Sequence, residues 1–322
     1  MGSERALRAR LGESIAGSLG SPLRSSRALS GGDINEAYAI TLEDGRRLFL
    51  KTNSEAPKPA APRRLRPGRA QDEADRGERE AGPLSSVSPD LFEAEARGLA
   101  WLQEARALAI PEVIAFSNEP AWLALEWMEP GARQPGFDEA LGRGLAALHA
   151  AGAPCFGLDH DNFIGSLPQR NASCPDWASF YRELRLEPLL SRASERGLMP
   201  PALRRRFDWL LDRLEARLGD PEPPARVHGD LWGGNLHVTA EGSPALIDPA
   251  VYGGHREMDL AMMRLFGGFS ERCFAAYEAR APLQPEAASR VPLWQLYPLL
   301  VHLNLFGGGY LGALERALAA VL

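Results

Sequence analysis

The chain contains the glycine-rich segment Val227-His228-Gly229-Asp230-Leu231-Trp232-Gly233-Gly234-Asn235. A predicted hairpin follows, and its second strand leads into Leu246-Ile247-Asp248-Pro249. Because Asp230 and Asn235 lie on one glycine-rich loop, both side chains can face the same site. The hairpin can bring Asp248 back beside Asn235. Three oxygen-bearing side chains are therefore predicted to converge.

These three side chains suit the transfer of a phosphoryl group. Asn235 and Asp248 offer hard oxygen ligands of the kind that Mg²⁺ prefers alongside phosphates. Asp230 is then free to accept the proton of a hydroxyl group. Protein kinases space the Asp and Asn of their catalytic loop in the same way, with the metal-binding Asp further along the chain. The alternative, that these side chains only satisfy backbone groups of the loop, explains the whole set less well.

The N-terminal half contains candidates for binding the phosphates of a nucleotide. Lys51 ends the second strand of a predicted hairpin, where its ammonium group can pair with phosphates if a helix carboxylate holds it. Glu95 on the next predicted helix is the candidate, since Glu93 points about 200° away on the same helix. Gly31-Gly32 would let the backbone approach the nucleotide closely.

The hydrophobic pattern predicts an α+β protein with a small β-rich N-terminal lobe, which has one main helix, and a larger helical C-terminal lobe. The N-terminal pattern indicates a helix at 5–19, strands at 37–42 and 48–51, a helix from Leu91, and strands at 113–116 and 122–127. The C-terminal pattern indicates helices at 137–150, 175–197, 200–217, 258–280 and 292–320, with strands at 236–238 and 245–247. Glu129-Pro130-Gly131 interrupts the pattern. The expected lobes are therefore 1–130 and 131–322.

Residues 54–89 differ in composition from the rest of the chain. They include six prolines and no aromatic residue. Such a segment cannot bury enough apolar surface to offset the entropy lost on ordering. We expect a flexible insertion that separates Lys51 from Glu95 in sequence but not in space, because the cost of closing a loop rises only slowly with its length.

Composition narrows the class of protein. The 322 residues carry 36 Lys and Arg against 42 Asp and Glu, a net charge of −6, which argues against a nucleic-acid-coating protein. The three cysteines form no CxxC pair, which fits a reducing compartment and a cytoplasmic location. No apolar run is long enough to span a membrane, and residues 1–20 lack the apolar core of a signal peptide. We therefore expect a cytoplasmic monomer with no membrane or nucleic-acid partner.

These segments together resemble the fructosamine kinases (ketosamine-3-kinases), whose fold is protein-kinase-like and close to that of aminoglycoside phosphotransferases and choline kinases. The resemblance covers nearly the whole chain except 54–89. It rests on Gly31-Gly32-Asp33-Ile34-Asn35, Phe92-Glu93-Ala94-Glu95, Asp161-Asn162-Phe163-Ile164-Gly165, Val227 to Asn235, Asp248-Pro249-Ala250, Tyr252-Gly253-Gly254-His255-Arg256-Glu257-Met258-Asp259, and Leu296-Tyr297 through Phe306-Gly307. The HGDLWxGN string is specific to this family, since related phosphotransferases usually lack its tryptophan. Asp33 stands where many eukaryotic members have a cysteine.

The resemblance implies a role for each matching position. Asp230 resembles the catalytic base, and Asn235 and Asp248 resemble the Mg²⁺ ligands. The residues implied to bind ATP are Gly31, Gly32, Ile34, Asn35, Lys51, Glu95 and the hinge residues Glu126, Trp127 and Met128. Those expected to support the catalytic loop are His228 and Asp259. A stretch beside the sugar-amine site contains Phe163, Gln169, Asn171, Trp177, Phe180 and Arg185, of which Phe163, Trp177 and Arg185 are the candidate substrate residues.

The activity implied by the resemblance is ATP- and Mg²⁺-dependent phosphorylation of O3 of a ketosamine, either a fructosamine or a ribulosamine. The substrate would be a small molecule or a glycated protein lysine, and the reaction would serve deglycation. The alternative is an aminoglycoside- or choline-kinase-like phosphotransferase that acts on another hydroxyl group.

Two further alternatives are less consistent with the residues. A metal hydrolase site built from His228, His237, His255 and Asp248 would lack the helical spacing and the HExxH context of such sites. A pseudokinase usually loses one of Lys51, Asp230, Asn235 and Asp248, and all four are present.

Overall fold

The computed structural model describes residues 2–29, 35–53 and 90–322. The predictions made for Gly31, Gly32 and Ile34, and those for the insertion at 54–89, lie outside the described residues. Within the described residues, the N-terminal part carries a five-stranded sheet and the C-terminal part is mostly helical. No helix among them combines the length and the apolar character needed to cross a bilayer.

The N-terminal sheet is antiparallel, with its strands in the order β1-β2-β3-β5-β4. Its strands are β1 (Leu23–Leu29), β2 (Glu36–Leu42), β3 (Arg47–Thr52), β4 (Val113–Asn118) and β5 (Ala121–Glu126). Trp122 of β5 packs with helix α1 (Gly2–Leu19), whereas its neighbour Leu123 packs with helix α2 (Leu91–Glu104). Since successive strand residues point to opposite faces, the sheet lies between these two helices.

The C-terminal part consists of helices and three small sheets. The helices are α3 (Phe137–Ala150), α4 (Trp177–Phe180), α5 (Glu187–Glu195), α6 (Pro201–Leu211), α7 (Glu257–Phe266), α8 (Glu271–Arg280), α9 (Ala287–Phe306) and α10 (Leu311–Val321). The paired strands are β6 (Asn162–Ile164) with β7 (Leu167–Gln169), β8 (Ala225–Val227) with β11 (Tyr252–Gly254), and β9 (Leu236–Val238) with β10 (Pro244–Leu246). A π-helical turn, Tyr181–Leu186, joins α4 to α5. The predicted α+β class is confirmed.

Three long predicted helices are wrong at their boundaries. The helix expected at 258–280 is two helices, because Gly267 after α7 adopts φ 71° and cannot continue a right-handed helix. Gly307 breaks the helix expected at 292–320 in the same way, with φ 84°. The helix expected at 200–217 ends at Leu211, and a separate 3₁₀ turn covers Glu215–Arg217.

Close packing between α3 and α8 gives a stability prediction. A Cβ atom on Gly142 of α3 would overlap the carbonyl oxygen of Cys273 in α8. We expect Gly142→Ala to lower the free energy of unfolding by about 1–3 kcal/mol through overpacking. The matched control is Gly17→Ala in α1, where a Cβ atom would meet nothing within 4 Å. That change should raise the free energy by about 0.5–1 kcal/mol. Urea unfolding measures both, and equal effects of the two substitutions would contradict the prediction.

Candidate active site

A cleft of about 580 Å³ separates the N-terminal sheet from the C-terminal helices. Its lining includes Asn35, Lys51, Glu95, Asn162, Phe163, Asp230, Trp232, Asn235 and Asp248. An adjoining cavity of about 200 Å³ shares Lys51 and Asp248 with the cleft. Most residues that the sequence singled out are therefore brought together at one place.

The loop after β8 turns sharply at Gly229 and presents Asp230 to the cleft. Gly229 has φ 83°, and a Cβ atom there would overlap the carbonyl oxygen of Ala250. Only glycine allows both this conformation and this close approach. The Ala250 amide also donates to the carbonyl oxygen of His228 at 2.9 Å. The Asp230 loop is thus fixed directly against the segment that follows Asp248.

Asn235 links the two loops through its amide nitrogen. Its Nδ2 donates to the carbonyl oxygen of Asp230 at 2.8 Å, to Oδ2 of Asp230 at 3.0 Å, and to the carbonyl oxygen of Asp248 at 3.2 Å. Carbonyl and carboxylate oxygens only accept hydrogen bonds, so the amide nitrogen must face them. Oδ1 of Asn235 is consequently directed away from these partners, as a metal ligand requires.

Lys51 bridges the two sides of the cleft. Its Nζ donates to Oε1 of Glu95 at 2.7 Å and also contacts Oδ1 of Asp248. Glu93 instead accepts a hydrogen bond from Asn118 at 2.9 Å, so the choice between the two glutamates is settled in favour of Glu95. Asp248 adopts φ 57°, a left-handed conformation that is uncommon outside glycine and concentrates at functional sites.

Asp259 and His228 hold the Asp230 loop through hydrogen bonds. The carboxylate of Asp259 accepts from the amides of His228 at 2.7 Å and Gly229 at 2.9 Å, and it contacts Nε2 of His149 at 3.1 Å. Burial alone would raise the pKa of Asp259, but the hydrogen bond and electrostatic interaction with His149, the interaction with His228 and the Gly229 amide hold the pKa below its usual value. Burial lowers the pKa of His228, whose Nε2 contacts the carbonyl oxygen of Ile247 at 3.0 Å.

Replacement of Asp259 should destabilise the fold. Asp259→Asn leaves one buried N–H without an acceptor, and we expect the free energy of unfolding to fall by about 1–3 kcal/mol. Folding lowers the pKa of Asp259. Its carboxylate therefore stabilises the fold fully above the pKa it has in the unfolded chain, and this stabilisation is lost as the pH falls through the lower pKa of the folded protein. The difference in free energy of unfolding between wild type and Asp259→Asn should therefore become smaller as the pH is lowered.

The matched control for Asp259 is Asp212→Asn, because Asp212 is exposed and lies 3.9 Å from Arg182. We expect it to change the free energy of unfolding by less than about 0.5 kcal/mol. Equal effects of the two substitutions in urea unfolding at pH 7 would contradict the role given to Asp259.

The smaller cavity has the features of a site for a nucleobase. Leu125, Glu126, Trp127 and Met128 line it, so the three residues of the predicted hinge lie at one cavity, and their contact with adenine stays a prediction. The guanidinium group of Arg47 lies 4.1 Å from the centre of the Trp127 ring and fixes that side of the opening. His237 lines the same cavity, whereas the sequence analysis considered it only as part of a disfavoured metal hydrolase site. The strand position of His237 after Asn235 is the signal that could have found it.

The predicted substrate residues separate into two groups. Phe163 lines the cleft, as does Asn162, which belongs to the same sequence motif but was given no role from the sequence. Trp177 and Arg185 are buried, with Arg185 only 1% exposed, and neither lines the cleft. This placement argues against direct contact of Trp177 or Arg185 with a substrate. Gln169, Asn171 and Phe180 are likewise buried behind the cleft wall.

Sequence comparisons find similar proteins over nearly the whole chain. The family model described as fructosamine kinase matches residues 85–322. The chain is 40% identical over 302 residues to a "Probable ketoamine kinase" of Lactiplantibacillus plantarum, with 92% of this chain and 94% of that protein covered. It is 34% identical over 308 residues to "Probable ketoamine kinase slr1563" of Synechocystis, with 93% and 92% covered.

Solved structures agree on the fold. A Thermobifida fusca protein, provisionally identified as a fructosamine-3-kinase, superposes with a TM-score of 0.80 at 36% identity, covering 97% of this chain and 98% of that one. The choline kinase LicA of Streptococcus pneumoniae superposes with a TM-score of 0.58 at 15% identity, covering 98% and 99%, which shows a shared fold alone. The predicted protein-kinase-like fold is confirmed.

Proposed function

Since this chain belongs to the fructosamine kinase family, and is thereby an ATP-dependent phosphotransferase that acts on a hydroxyl group, we propose that it phosphorylates O3 of a ketosamine. The single observation that carries the site assignment is the position of Lys51. Its Nζ contacts Glu95 in the N-terminal part and Asp248 in the C-terminal part. Asp230 and Asn235 line the same cleft. The presence of Lys51, Glu95, Asp230, Asn235 and Asp248 in one cleft supports triphosphate binding and proton acceptance there.

Asp230 is proposed to act as the base of the transfer step. The acceptor hydroxyl gives its proton to the carboxylate, and its oxygen bonds to the γ-phosphorus as the bond from that phosphorus to the β,γ-bridging oxygen breaks. ADP leaves with the bridging oxygen. The amide of Asn235, 3.0 Å from Oδ2 of Asp230, orients the carboxylate. Orientation matters because most catalysis of phosphoryl transfer is positioning and charge stabilisation.

Asn235 and Asp248 are proposed to hold Mg²⁺. Their donor set fits, since an amide oxygen and a carboxylate are both hard ligands. Among the described residues, no group of three or more His, Cys, Asp or Glu side chains could hold a metal. A Mg²⁺ ion that is bound through nucleotide phosphates needs no such group. The ion supplies charge neutralisation on the transferring phosphoryl group when it is bound.

Nucleotide binding is proposed to divide between the two cavities. The adenine would occupy the apolar cavity beside Glu126, Trp127 and Met128, while Lys51 pairs with phosphates in the cleft. Asn35 lines the cleft from the sheet side and is the described residue of the Gly31-Gly32-Asp33-Ile34-Asn35 segment. On this basis we propose residues 1–130 as the nucleotide-binding lobe and 131–322 as the catalytic and substrate-binding lobe.

The acceptor is proposed to lie against Phe163 and Asn162, on the cleft wall that carries Asp230. Phosphorylation at O3 would place a leaving group next to the C2 carbonyl of the ketosamine. Enolisation toward C1 then expels phosphate, and hydrolysis of the resulting imine frees the amine. The same route serves a fructosamine or a ribulosamine, and a free amine or a protein lysine, so deglycation is the proposed outcome.

An acceptor screen tests this proposal. Purified protein with ATP and Mg²⁺ is offered fructosamines and ribulosamines of lysine, an aminoglycoside and choline, and ADP release is measured. We expect kcat/KM for at least one ketosamine to exceed kcat/KM for the aminoglycoside and for choline by about 10²-fold or more. A site whose polar groups match one acceptor discriminates strongly against acceptors that leave those groups unpaired. Preference for an aminoglycoside or choline would overturn the proposal and support the alternative acceptor.

A further inference from the structure

Arg185 is a buried cation whose partners are all uncharged. Among the described residues, no carboxylate lies within 4.0 Å of its guanidinium nitrogens. Its NH1 donates to the carbonyl oxygen of Arg170 at 2.6 Å, and its NH2 donates to Oδ1 of Asn171 at 2.7 Å. The rings of Tyr252 and Phe180 lie 4.0 Å and 4.4 Å from the guanidinium carbon. Burying a charge in this way costs free energy that an apolar side chain would not.

The backbone around Arg185 is also unusual. Residues 177–195 form one helical segment, and its middle, Tyr181–Leu186, is a π-helical turn. Such turns are rare and are frequent at functional sites. A buried arginine on a rare turn, with no carboxylate partner among the described residues, indicates a functional role, and its burial argues against direct contact with substrate.

Three buried side-chain amides, Asn162, Gln169 and Asn171, connect Arg185 to the active site, and we call them the amide relay. Nδ2 of Asn171 donates to Oδ1 of Asn162 at 2.9 Å, and Nε2 of Gln169 donates to the same oxygen at 2.8 Å. Nδ2 of Asn162 then donates to the carbonyl oxygen of Val251 at 2.8 Å. Nε2 of Gln169 also donates to the carbonyl oxygen of Ala250, at 3.1 Å.

The direction of the relay follows from the chemistry of arginine. A guanidinium group has five N–H donors and no acceptor, so Oδ1 of Asn171 must face it. The NH₂ end of Asn171 then faces Asn162 and requires the oxygen of Asn162, which turns the NH₂ end of Asn162 toward Val251. The donor-only guanidinium group therefore fixes the orientation of Asn171, and the carbonyl oxygens of His160 and Val251 require the same orientations of Asn171 and Asn162.

The end of the relay lies next to Asp248. Ala250 and Val251 follow Asp248-Pro249, and Pro249 has no N–H to anchor the chain. Asp248 itself adopts the left-handed φ of 57°, which the surrounding structure must hold in place. The relay supplies donors to the next two carbonyl oxygens, while the Ala250 amide is held by His228.

We propose that Arg185 is a positioning residue that acts through the amide relay to hold the backbone after Asp248, and so the carboxylate of Asp248, in the orientation used for phosphoryl transfer. The inference rests on the proposed role of Asp248 in the function above. It assigns Arg185 to the support of the site rather than to the substrate.

The first test is Arg185→Met, which keeps the length of the side chain and removes its donors. Hydrogen exchange is followed by mass spectrometry in nucleotide-free protein, on peptides covering 246–254. We expect the amide hydrogens of these peptides to exchange about tenfold faster. The reason is that loss of the Arg185 hydrogen bonds should raise the equilibrium constant for local opening of this segment about tenfold. In turnover assays the Mg²⁺ concentration for half-maximal rate should rise by about 10-fold or more, while KM for the acceptor stays nearly unchanged.

A second variant keeps the test valid if Arg185→Met does not fold. Asn171→Asp offers Arg185 a carboxylate but replaces the amide donor toward Asn162 with an acceptor. It should speed exchange at 246–254 and raise the Mg²⁺ requirement in the same way. The matched control is Arg290→Met, since Arg290 is also buried but pairs with Glu257 at 2.6 Å, away from the cleft. That control should lower the melting temperature without changing exchange at 246–254.

Unchanged exchange at 246–254 in both Arg185→Met and Asn171→Asp would overturn the proposal. A raised acceptor KM with an unchanged Mg²⁺ requirement would also overturn it and return Arg185 to a substrate role. The exchange measurement needs neither ATP nor a ketosamine. A wrong acceptor in the proposed function would therefore leave this test intact, and the two failures can be told apart.

Discussion

Asp230→Asn should lower kcat by about 10²–10⁴, the usual range for loss of a general base. An asparagine keeps the shape of the side chain, and its Oδ1 can still accept the hydrogen bond that Asn235 now donates to Oδ2 at 3.0 Å. The fold and the affinity for ATP should therefore change little. What is lost is the negative charge that accepts the hydroxyl proton.

Steady-state kinetics and ATP-binding calorimetry on the same protein separate these effects. The control is Asp159→Asn, because Asp159 is exposed and pairs with Arg97 at 3.0 Å rather than lining the cleft. The control should retain wild-type kcat. If turnover of Asp230→Asn stayed within about threefold of wild type, Asp230 would not be the base.

Asp248→Asn should raise the Mg²⁺ requirement sharply and lower kcat, since anchoring of the metal contributes several kcal/mol of charge stabilisation. Asparagine is chosen because it tolerates the left-handed φ of 57° found at this position, so the backbone should be preserved. Rates are measured against Mg²⁺ at saturating ATP. The variant should need far more metal than wild type or remain inactive at every concentration.

Glu95→Gln is the matched control for Asp248, because both carboxylates contact Nζ of Lys51. If Asp248 acts only by holding Lys51, the two variants should behave alike. Our account expects them to differ: Glu95→Gln raises KM for ATP with little change in the Mg²⁺ requirement. An unchanged Mg²⁺ dependence in Asp248→Asn would move the ligand role to another residue.

The grouping of Asp230, Asn235 and Asp248 could be predicted because local sequence determines it. Asp230 and Asn235 lie on one glycine-rich loop, and the short hairpin that follows returns the chain to the same place at Asp248. Lys51 and Glu95 were also found, since the order of strand and helix is enough to pair them even with residues 54–89 between. Helical geometry excluded Glu93, and the structure gives Glu93 a different partner in Asn118.

The surroundings of Arg185 could not be predicted in this way. Charged side chains are rarely fully buried, so a sequence pattern places an arginine on the surface or in a polar site. Its burial here depends on the rings of Tyr252 and Phe180 and on the side-chain amide of Asn171, which meet Arg185 only after folding. The three-residue strands β6, β7, β8 and β11 were missed, because runs that short carry little alternation. The equally short β9 and β10 were predicted from the turn that joins them as a hairpin.

Phosphorus NMR of the reaction product tests the central claim most directly. Purified protein is incubated with ATP, Mg²⁺ and a fructosamine or ribulosamine of lysine, and the new phosphate ester is assigned by its coupling to sugar protons. We predict a phosphate ester coupled to the proton on C3, formed in step with ADP and followed by release of inorganic phosphate and free amine. An ester on any other carbon, or no ester with either ketosamine, would contradict the account.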